Sequence, residues 1–573
     1  MPFRAPVTDF QFLFDHVVDF ANVTATERFA DADRETTEAI LLEAGKMVEE
    51  VMAPLNRAGD LEGARLENGK VRTSPGFGEA YKQVADGGWI STSADPEYGG
   101  MGLPHSITTA VNEMMASGCL ALQLNPLMTQ GQIEALEHHA SDEIKALYLP
   151  KLISGEWSGT MNLTEPAAGS DVGALQSKAV PNGDGSYAVT GQKIYITWGD
   201  NDFTENVCHL VLARLPDGVA GTKGISLFMV PKLIPDENGK PGVANTLGVV
   251  SLEHKLGLHG SPTAVMQFDG AKGWLVGGEH DGMKSMFTMM NNARLGVGGQ
   301  GIGVAESAYQ YALGYALERK QGRTPVEGGT GTILEHADVR RMLAGMKADI
   351  FAARAIEMSC AVAIDMNTAT GDKDWKARAA FLTPIAKSFG TEVGMDVAQQ
   401  GVQVHGGMGF IEETGAAQFL RDVRVTAIYE GTNGIQAMDL VGRKLMDGGD
   451  AAYALLDEIE DCAEKVRESM SDLAEPLWQA TETLREATEW MVAQTDMNER
   501  FAGSVPFLMG FARVLGGYFH LKAAIAEGGE GARSKLAAFY IKRLLPEHSG
   551  LLEHAMQGAA GIYALSAEEL GAA

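Results

Sequence analysis

The stretch Ile428-Tyr429-Glu430-Gly431-Thr432-Asn433-Gly434-Ile435-Gln436 sets one carboxylate between an aromatic and a glycine, with more regular segments on either side. A glutamate whose neighbour lacks a side chain can be approached closely by a ligand. An apolar surround disfavours its charge and raises its pKa toward the range of a general base. Taken alone, the same stretch also describes an ordinary loop glutamate. The chemistry therefore depends on what the rest of the chain supplies.

Four other segments could hold a ligand. Met161-Asn162-Leu163-Thr164-Glu165-Pro166-Ala167-Ala168-Gly169-Ser170-Asp171 is a small-residue loop. Its backbone N–H groups and the hydroxyls of Thr164 and Ser170 could meet a polar ring edge or a phosphate, although a tight connecting turn explains it as well. Tyr195-Ile196-Thr197-Trp198-Gly199 ends a strand and offers an aromatic and a hydroxyl; plain strand packing accounts for Tyr195 and Trp198 but is indifferent to Thr197. Leu317-Glu318-Arg319-Lys320-Gln321 closes a helix with cations, as helix-dipole compensation also would. Gln403-Val404-His405-Gly406-Gly407-Met408-Gly409-Phe410 carries three glycines after a helix, where capping needs only one. His405 reads as a hydrogen-bonded structural histidine, since no catalytic partner constellation accompanies it.

The elements that must position these residues follow from periodicity. Residues from about Thr36 to Lys151 read as helical, beginning with an alanine- and leucine-rich helix that ends at Pro54. From about Gly159 to Leu275 strands alternate with turns: Tyr187 to Thr197, Cys208 to Ala213 and Ile225 to Val230, with Asn182-Gly183-Asp184-Gly185 as a hairpin turn. Ala305, Ala308, Tyr309, Ala312, Leu313, Ala316 and Leu317 keep the three-and-four spacing of one buried helical face. Two more long helices are expected over about Ala337–Asn367 and Trp375–Gly401. The tail is helical with acidic faces, and Ala537, Phe539, Tyr540, Ile541, Leu544 and Leu545 form an apolar stripe that must be covered.

The fold class is thus α+β, in five parts: an arm (1–35), a helical domain (36–158), a β domain (159–283), a helical bundle (284–448) and a further helical domain (449–573). At 573 residues one ordinary core is too small. A formal net charge of −29 argues against nucleic acid and against anionic membrane surfaces as partners. Cys119, Cys208, Cys360 and Cys462 are scattered without metal-ligand spacing, the usage of a reducing compartment, and no metal site is expected. The N-terminus, broken by Pro2, Pro6 and Asp9, is not a secretory signal, and no apolar run reaches membrane-spanning length. The expected location is cytoplasmic.

In order, Thr-Glu-Pro-x-Ala-Gly-Ser-Asp, Gly-Gln-Lys-x-x-Ile-Thr, Glu-Arg-Lys, Gln-x-x-Gly-Gly-x-Gly-Phe and Ile-Tyr-Glu-Gly-Thr resemble the acyl-CoA dehydrogenase family, over about residues 36–445. The resemblance implies an acyl-CoA dehydrogenase-like fold of two helical domains flanking a β domain, with FAD bound between the β domain and the second helical domain. It implies a homodimer or homotetramer, an acyl-CoA substrate and an electron-transferring flavoprotein as partner. Met161, Leu163, Thr164, Gly169 and Ser170 match positions that line the flavin; Tyr195, Ile196 and Thr197 lie beside its ring. Arg319, Gln403, Val404, His405, Gly406 and Gly407 match positions reaching a neighbouring subunit's flavin, and Thr432 matches another flavin contact. Ser170, Arg294, Tyr429 and Gly431 fall on the substrate side, and Glu430 matches the catalytic base.

The chain also departs from the family pattern. Met161 stands where an aromatic is frequent, Tyr195 where tryptophan is, and Asn291 where an aspartate often precedes Arg294. Arg323 to Gly329 is an insertion. Relatives that place the base just before that arginine have a carboxylate where this chain has Ala293, so Glu430 is the base the pattern offers. The aromatic arm (Phe3, Pro6, Asp9, Phe10, Phe12, Leu13, Phe14, Val17, Val18) and the tail resemble the branch that oxidises 3-methylmercaptopropionyl-CoA in dimethylsulfoniopropionate breakdown. General short- and medium-chain dehydrogenation, an oxidase, and a non-catalytic flavoprotein are the other readings.

Overall fold

The computed structural model describes residues 3–571; the outermost residues of the expected arm and tail, 1–2 and 572–573, lie outside the described residues. The chain divides into two compact units, Ala39–Gly296 and a second made of the segment up to Glu38 with the chain from Val297 onward. The division falls inside one long helix, Gly282–Glu318.

In the unit Ala39–Gly296, helices precede a β domain. The expected first helix runs Arg34–Met47 and passes into a π turn, Val48–Met52. Pro54 then stands at the N-cap of a new helix, Leu55–Leu61. A two-stranded hairpin, Arg65–Glu67 with Lys70–Arg72, was not expected among these helices. Its turn is Asn68-Gly69, both with positive φ (51° and 73°), the conformation a type I′ hairpin turn requires. The helix His105–His139 is broken at Cys119, whose φ of −157° and ψ of 93° are extended.

The β domain holds a seven-stranded sheet. The strands Tyr187–Thr197, Asn206–Arg214 and Ile225–Pro231 lie where alternation predicts them. Trp157–Asn162, Lys178–Pro181, Leu247–Leu252 and Thr263–Val276 complete it. Strand 263–276 pairs with both 187–197 and 225–231, and 206–214 joins 178–181 to 225–231, so five strands close a ring. Its interior is filled by Val189, Val211, Phe228, Val230, Met266 and Phe268. Asn182 to Gly185 turns between two antiparallel strands, as its composition predicts.

In the second unit the bundle helices are Gly282–Glu318 (from Val297), Ala337–Thr370 and Lys373–His405. The first and third touch backbone to backbone: a Cβ at Gly301 would lie 2.4 Å from the carbonyl oxygen of Gly390. Ala305, Ala308, Ala312 and Ala316 are buried as their spacing predicts, whereas Leu317 is 44% exposed because the helix ends one residue later.

The arm and tail pack on this bundle within the same unit. The arm helix Val7–His16 buries Phe10, Leu13 and Phe14. Asp9 bonds Arg533 of the tail at 2.6 Å and pairs with Arg354 at 3.5 Å, and Arg354 also reaches Glu306 at 2.8 Å. The tail helix Met497–Ala526 sends Arg500 Nη1 to the Val441 carbonyl at 3.0 Å. Of the predicted apolar stripe, Ala537, Tyr540, Ile541 and Leu545 are buried and Phe539 and Leu544 half-buried; Tyr540 donates to the Arg513 carbonyl at 3.1 Å and stacks on His520. Among the described residues no helix is long and apolar enough to cross a membrane.

Candidate active site

Glu430 follows a short helix, Ala416–Val423, and a 3-10 turn, Arg424–Ala427. It precedes the helix Asn433–Asp439, whose N-cap is Thr432: its Oγ1 accepts from the Ile435 N–H at 3.2 Å. Glu430 has φ +54° and Gly431 φ +81°. Glycine adopts the left-handed region freely, but a glutamate there costs about 1–2 kcal/mol. Such a conformation persists where surroundings over-determine it, and it concentrates at functional sites.

The surroundings do so here. Gln436 Nε2, on a fully buried side chain, donates to the Glu430 carbonyl at 3.2 Å. Lys387 Nζ, also fully buried, donates to the Gly431 carbonyl at 3.0 Å and to Asn433 Oδ1 at 2.9 Å. Asn433 Nδ2 donates in turn to Thr391 Oγ1 at 3.0 Å and Glu392 Oε1 at 2.7 Å. The Tyr429 hydroxyl donates to the buried Gln300 side chain, and burial raises its pKa far above the ordinary phenol value. Tyr429 is thus a neutral anchor, and Glu430 itself is half-buried.

On the β domain, one buried ion pair joins two of the predicted segments. Lys193 Nζ lies 2.7 Å from Glu165 Oε1 and donates to the Leu163 carbonyl at 3.0 Å. Glu165 also accepts from the N–H groups of Gln176 at 2.6 Å and Ser177 at 3.1 Å. Burial pushes the Glu165 carboxyl up, but Lys193 and these donors outweigh it and hold it below its ordinary value. The Thr164 carbonyl accepts from Ile194 N–H at 2.9 Å, so the 163–171 loop is laced to the strand carrying Tyr195 and Thr197. Met161, Leu163 and Thr164 are half-buried; Gly169 and Ser170 are exposed.

Tyr195 sits at an irregularity where Ile196 pairs with Ala264 but Lys193 with Met266. The extra residue is a bulge, which re-aims side chains. Tyr195 takes φ +61° and is 61% exposed, so strand packing does not account for it. It does account for Trp198, buried with its indole N–H donating to the Ala121 carbonyl at 3.1 Å. Ile196 packs into the barrel core. Arg294 is buried with its guanidinium 5.9 Å from the Phe287 ring, and Ala293 beside it is also buried.

Arg319 and the 403–407 segment stand at neighbouring helix ends, since Tyr315 stacks on His405 at 4.5 Å. His405 is structural: Nδ1 is 2.7 Å from the Gly401 carbonyl, a second ring (Tyr311) stacks on it, and burial lowers its pKa. Arg319, Gln403, Gly406 and Gly407 are exposed. The 323–329 insertion belongs to a loop closed by a bridge between Lys320 and Thr332. Lys193, Lys387, Asn433, Gln436 and Gln300 were not assigned from sequence. Lys193 and Glu165 were visible inside the quoted motifs; Lys387 was signalled only by a lone cation in the apolar run Pro384 to Gly390.

Comparison with known proteins bears on the family and the fold. Models of the acyl-CoA dehydrogenase N-terminal, middle and C-terminal domains match residues 26–156, 160–271 and 280–446. A model described as acetyl-CoA dehydrogenase C-terminal like matches 455–566. The chain is 44% identical to the 3-methylmercaptopropionyl-CoA dehydrogenase of Ruegeria pomeroyi, over 96% of this chain and 97% of that one. It is 34% identical to a butyryl-CoA dehydrogenase of Syntrophomonas wolfei, over 90% of both. The crystal structure of Caenorhabditis elegans ACDH-11 in complex with C11-CoA shares the fold, with a TM-score of 0.76 at 20% identity over 89% of this chain and 87% of that one. With four domain models in series and a relative of this identity along nearly its whole length, the chain belongs to the acyl-CoA dehydrogenase family, oxidoreductases that act on a CH–CH bond.

Proposed function

We propose that this chain is a FAD-dependent dehydrogenase acting in the cytoplasm that places a double bond between the α and β carbons of 3-methylmercaptopropionyl-CoA. The observation that carries the chemistry is Glu430, kept in a left-handed backbone by bonds to its own carbonyl and to that of Gly431. The substrate rests on the likeness to the Ruegeria pomeroyi enzyme, which covers 96% of this chain. The five-part domain division belongs to the same reading.

The residues fit a flavin. A Cβ at Gly169 would meet nothing within 4 Å, so the small-residue loop is open to a ligand. Tyr195 presents a flat ring on the bulge, and Thr432, whose oxygen accepts from Ile435, keeps its hydroxyl proton to donate. In this reading Met161, Leu163, Thr164, Gly169, Ser170, Tyr195, Ile196 and Thr197 hold FAD from the β domain. Thr432 does so from the bundle, and Arg319, Gln403, Gly406 and Gly407 reach the FAD of a neighbouring subunit. FAD, when bound, supplies the acceptor for the hydride equivalent that leaves the β carbon.

The Glu430 carboxylate removes the α proton. Its backbone N–H polarises the thioester carbonyl and stabilises the enolate charge that develops. Gly431, at φ +81°, lets the chain turn beside the thioester, and Ser170 and Arg294 lie toward the CoA moiety. An electron-transferring flavoprotein takes the electrons, and the chain works as a homodimer or homotetramer.

The likeness to a butyryl-CoA dehydrogenase favours a second reading, an enzyme for unsubstituted short acyl chains. Anaerobic titration of the FAD-loaded protein with a panel of acyl-CoAs decides between them. The proposal expects 3-methylmercaptopropionyl-CoA to bleach the flavin fastest. Faster bleaching by butyryl-CoA would move the assignment to the second reading.

A further inference from the structure

We propose that Lys387 is a positioning residue for the Glu430 loop, an inference that rests on Glu430 being the base. Lys387 lies in the middle of the helix Lys373–His405, with Ile385, Ala386 and Phe389 around it in sequence, and no part of it is exposed. A buried ammonium must be hydrogen-bonded to be tolerated. Two of its bonds go to the base loop: the Gly431 carbonyl at 3.0 Å and Asn433 Oδ1 at 2.9 Å. One turn further along the same helix, Thr391 and Glu392 accept from Asn433 Nδ2 at 3.0 and 2.7 Å. Two successive turns of one helix therefore grip Gly431 and Asn433.

The grip falls where the backbone has least freedom to hold itself. Glu430 and Gly431 both have positive φ, and Lys387 fixes the carbonyl of the second while Gln436 fixes that of the first. Together they set the two peptide planes that follow the carboxylate. A charged donor makes a stronger, shorter hydrogen bond than a neutral amide, so Lys387 is the firmer of the two anchors. Without it, the 430–431 peptide can relax toward an unstrained conformation, and the carboxylate turns away from the α carbon. A lysine that only filled space would affect stability and leave the chemical step alone.

The test is the anaerobic reductive half-reaction of the FAD-loaded enzyme with its fastest acyl-CoA, in Lys387→Met, Lys387→Arg and Asn433→Ala, beside Glu430→Gln. Lys387→Met is expected to slow the limiting rate about 100-fold, the scale of a displacement near 1 Å. Half-saturation should stay within about threefold of wild type, because substrate binding is not what is lost. The pH dependence of the limiting rate should shift, and Lys387→Arg should recover part of the rate. A soluble, FAD-loaded Lys387→Met that reduces at the wild-type rate with the wild-type pH profile would overturn the proposal. So would a variant that loses only affinity. If Lys387→Met does not fold, Asn433→Ala decides on the same terms, with a loss of about tenfold expected. A wild-type rate in Glu430→Gln would instead remove the base assignment, whatever Lys387 does.

Discussion

The Lys193 ammonium lies 2.7 Å from Glu165 Oε1, and neither side chain is more than 5% exposed. The pair ties the strand that carries Tyr195 and Thr197 to the loop that carries Leu163, Thr164, Gly169 and Ser170. Breaking a buried pair from one side leaves a charge in low dielectric, at a cost of about 3–5 kcal/mol. Lys193→Met is therefore expected to lower stability by that amount and to weaken FAD retention. Denaturant unfolding and flavin stoichiometry after gel filtration check both. Full stoichiometry with normal stability would show that the pair positions nothing.

The same pair gives a pH dependence with a definite sign. Glu165 titrates below its ordinary 4.5 in the folded chain. Its contribution is fully present above that unfolded value and is lost as pH falls through the lower folded value. Melting temperatures of wild type and Glu165→Gln should converge as pH falls below about 4.5. A gap that persists unchanged below that pH would contradict the assignment.

Glu430 sets stability against activity. Because its φ of +54° suits glycine, Glu430→Gly should stabilise the fold by about 1 kcal/mol while abolishing flavin reduction. Gly431→Ala should do the opposite to stability: its Cβ would fall 2.6 Å from Gln436 Nε2, in a backbone of φ +81° that alanine avoids. A loss of about 1 kcal/mol or more is expected, with slower reduction. Calorimetry beside stopped-flow reduction measures each. A Glu430→Gly variant less stable than wild type would show the loop to be unstrained.

The order of elements and the position of Glu430 were legible because they rest on local signals: apolar spacing, turn composition and five motifs. The Asn68-Gly69 hairpin was equally local, but it sits in a helical region where helix periodicity dominated the reading. Other features depend on partners far along the chain. The exposure of Tyr195 follows from a bulge against the strand Thr263–Val276, and its pairing residues are not adjacent in sequence. Lys387 meets Gly431 across 44 residues, and nothing in its own neighbourhood says that its ammonium is satisfied there. The packing of arm and tail on the bundle rests likewise on Asp9 meeting Arg354 and Arg533, which no periodicity reports.

The chemistry turns on Glu430 as the base, and Glu430→Gln removes that carboxylate while leaving the side chain's shape. The FAD-loaded variant, mixed anaerobically with 3-methylmercaptopropionyl-CoA, should bind FAD and the acyl-CoA as wild type does. Its flavin absorbance should stay unbleached, with reduction slowed by at least about 10⁴-fold, the upper range for loss of a general base. Bleaching at the wild-type rate would contradict the account.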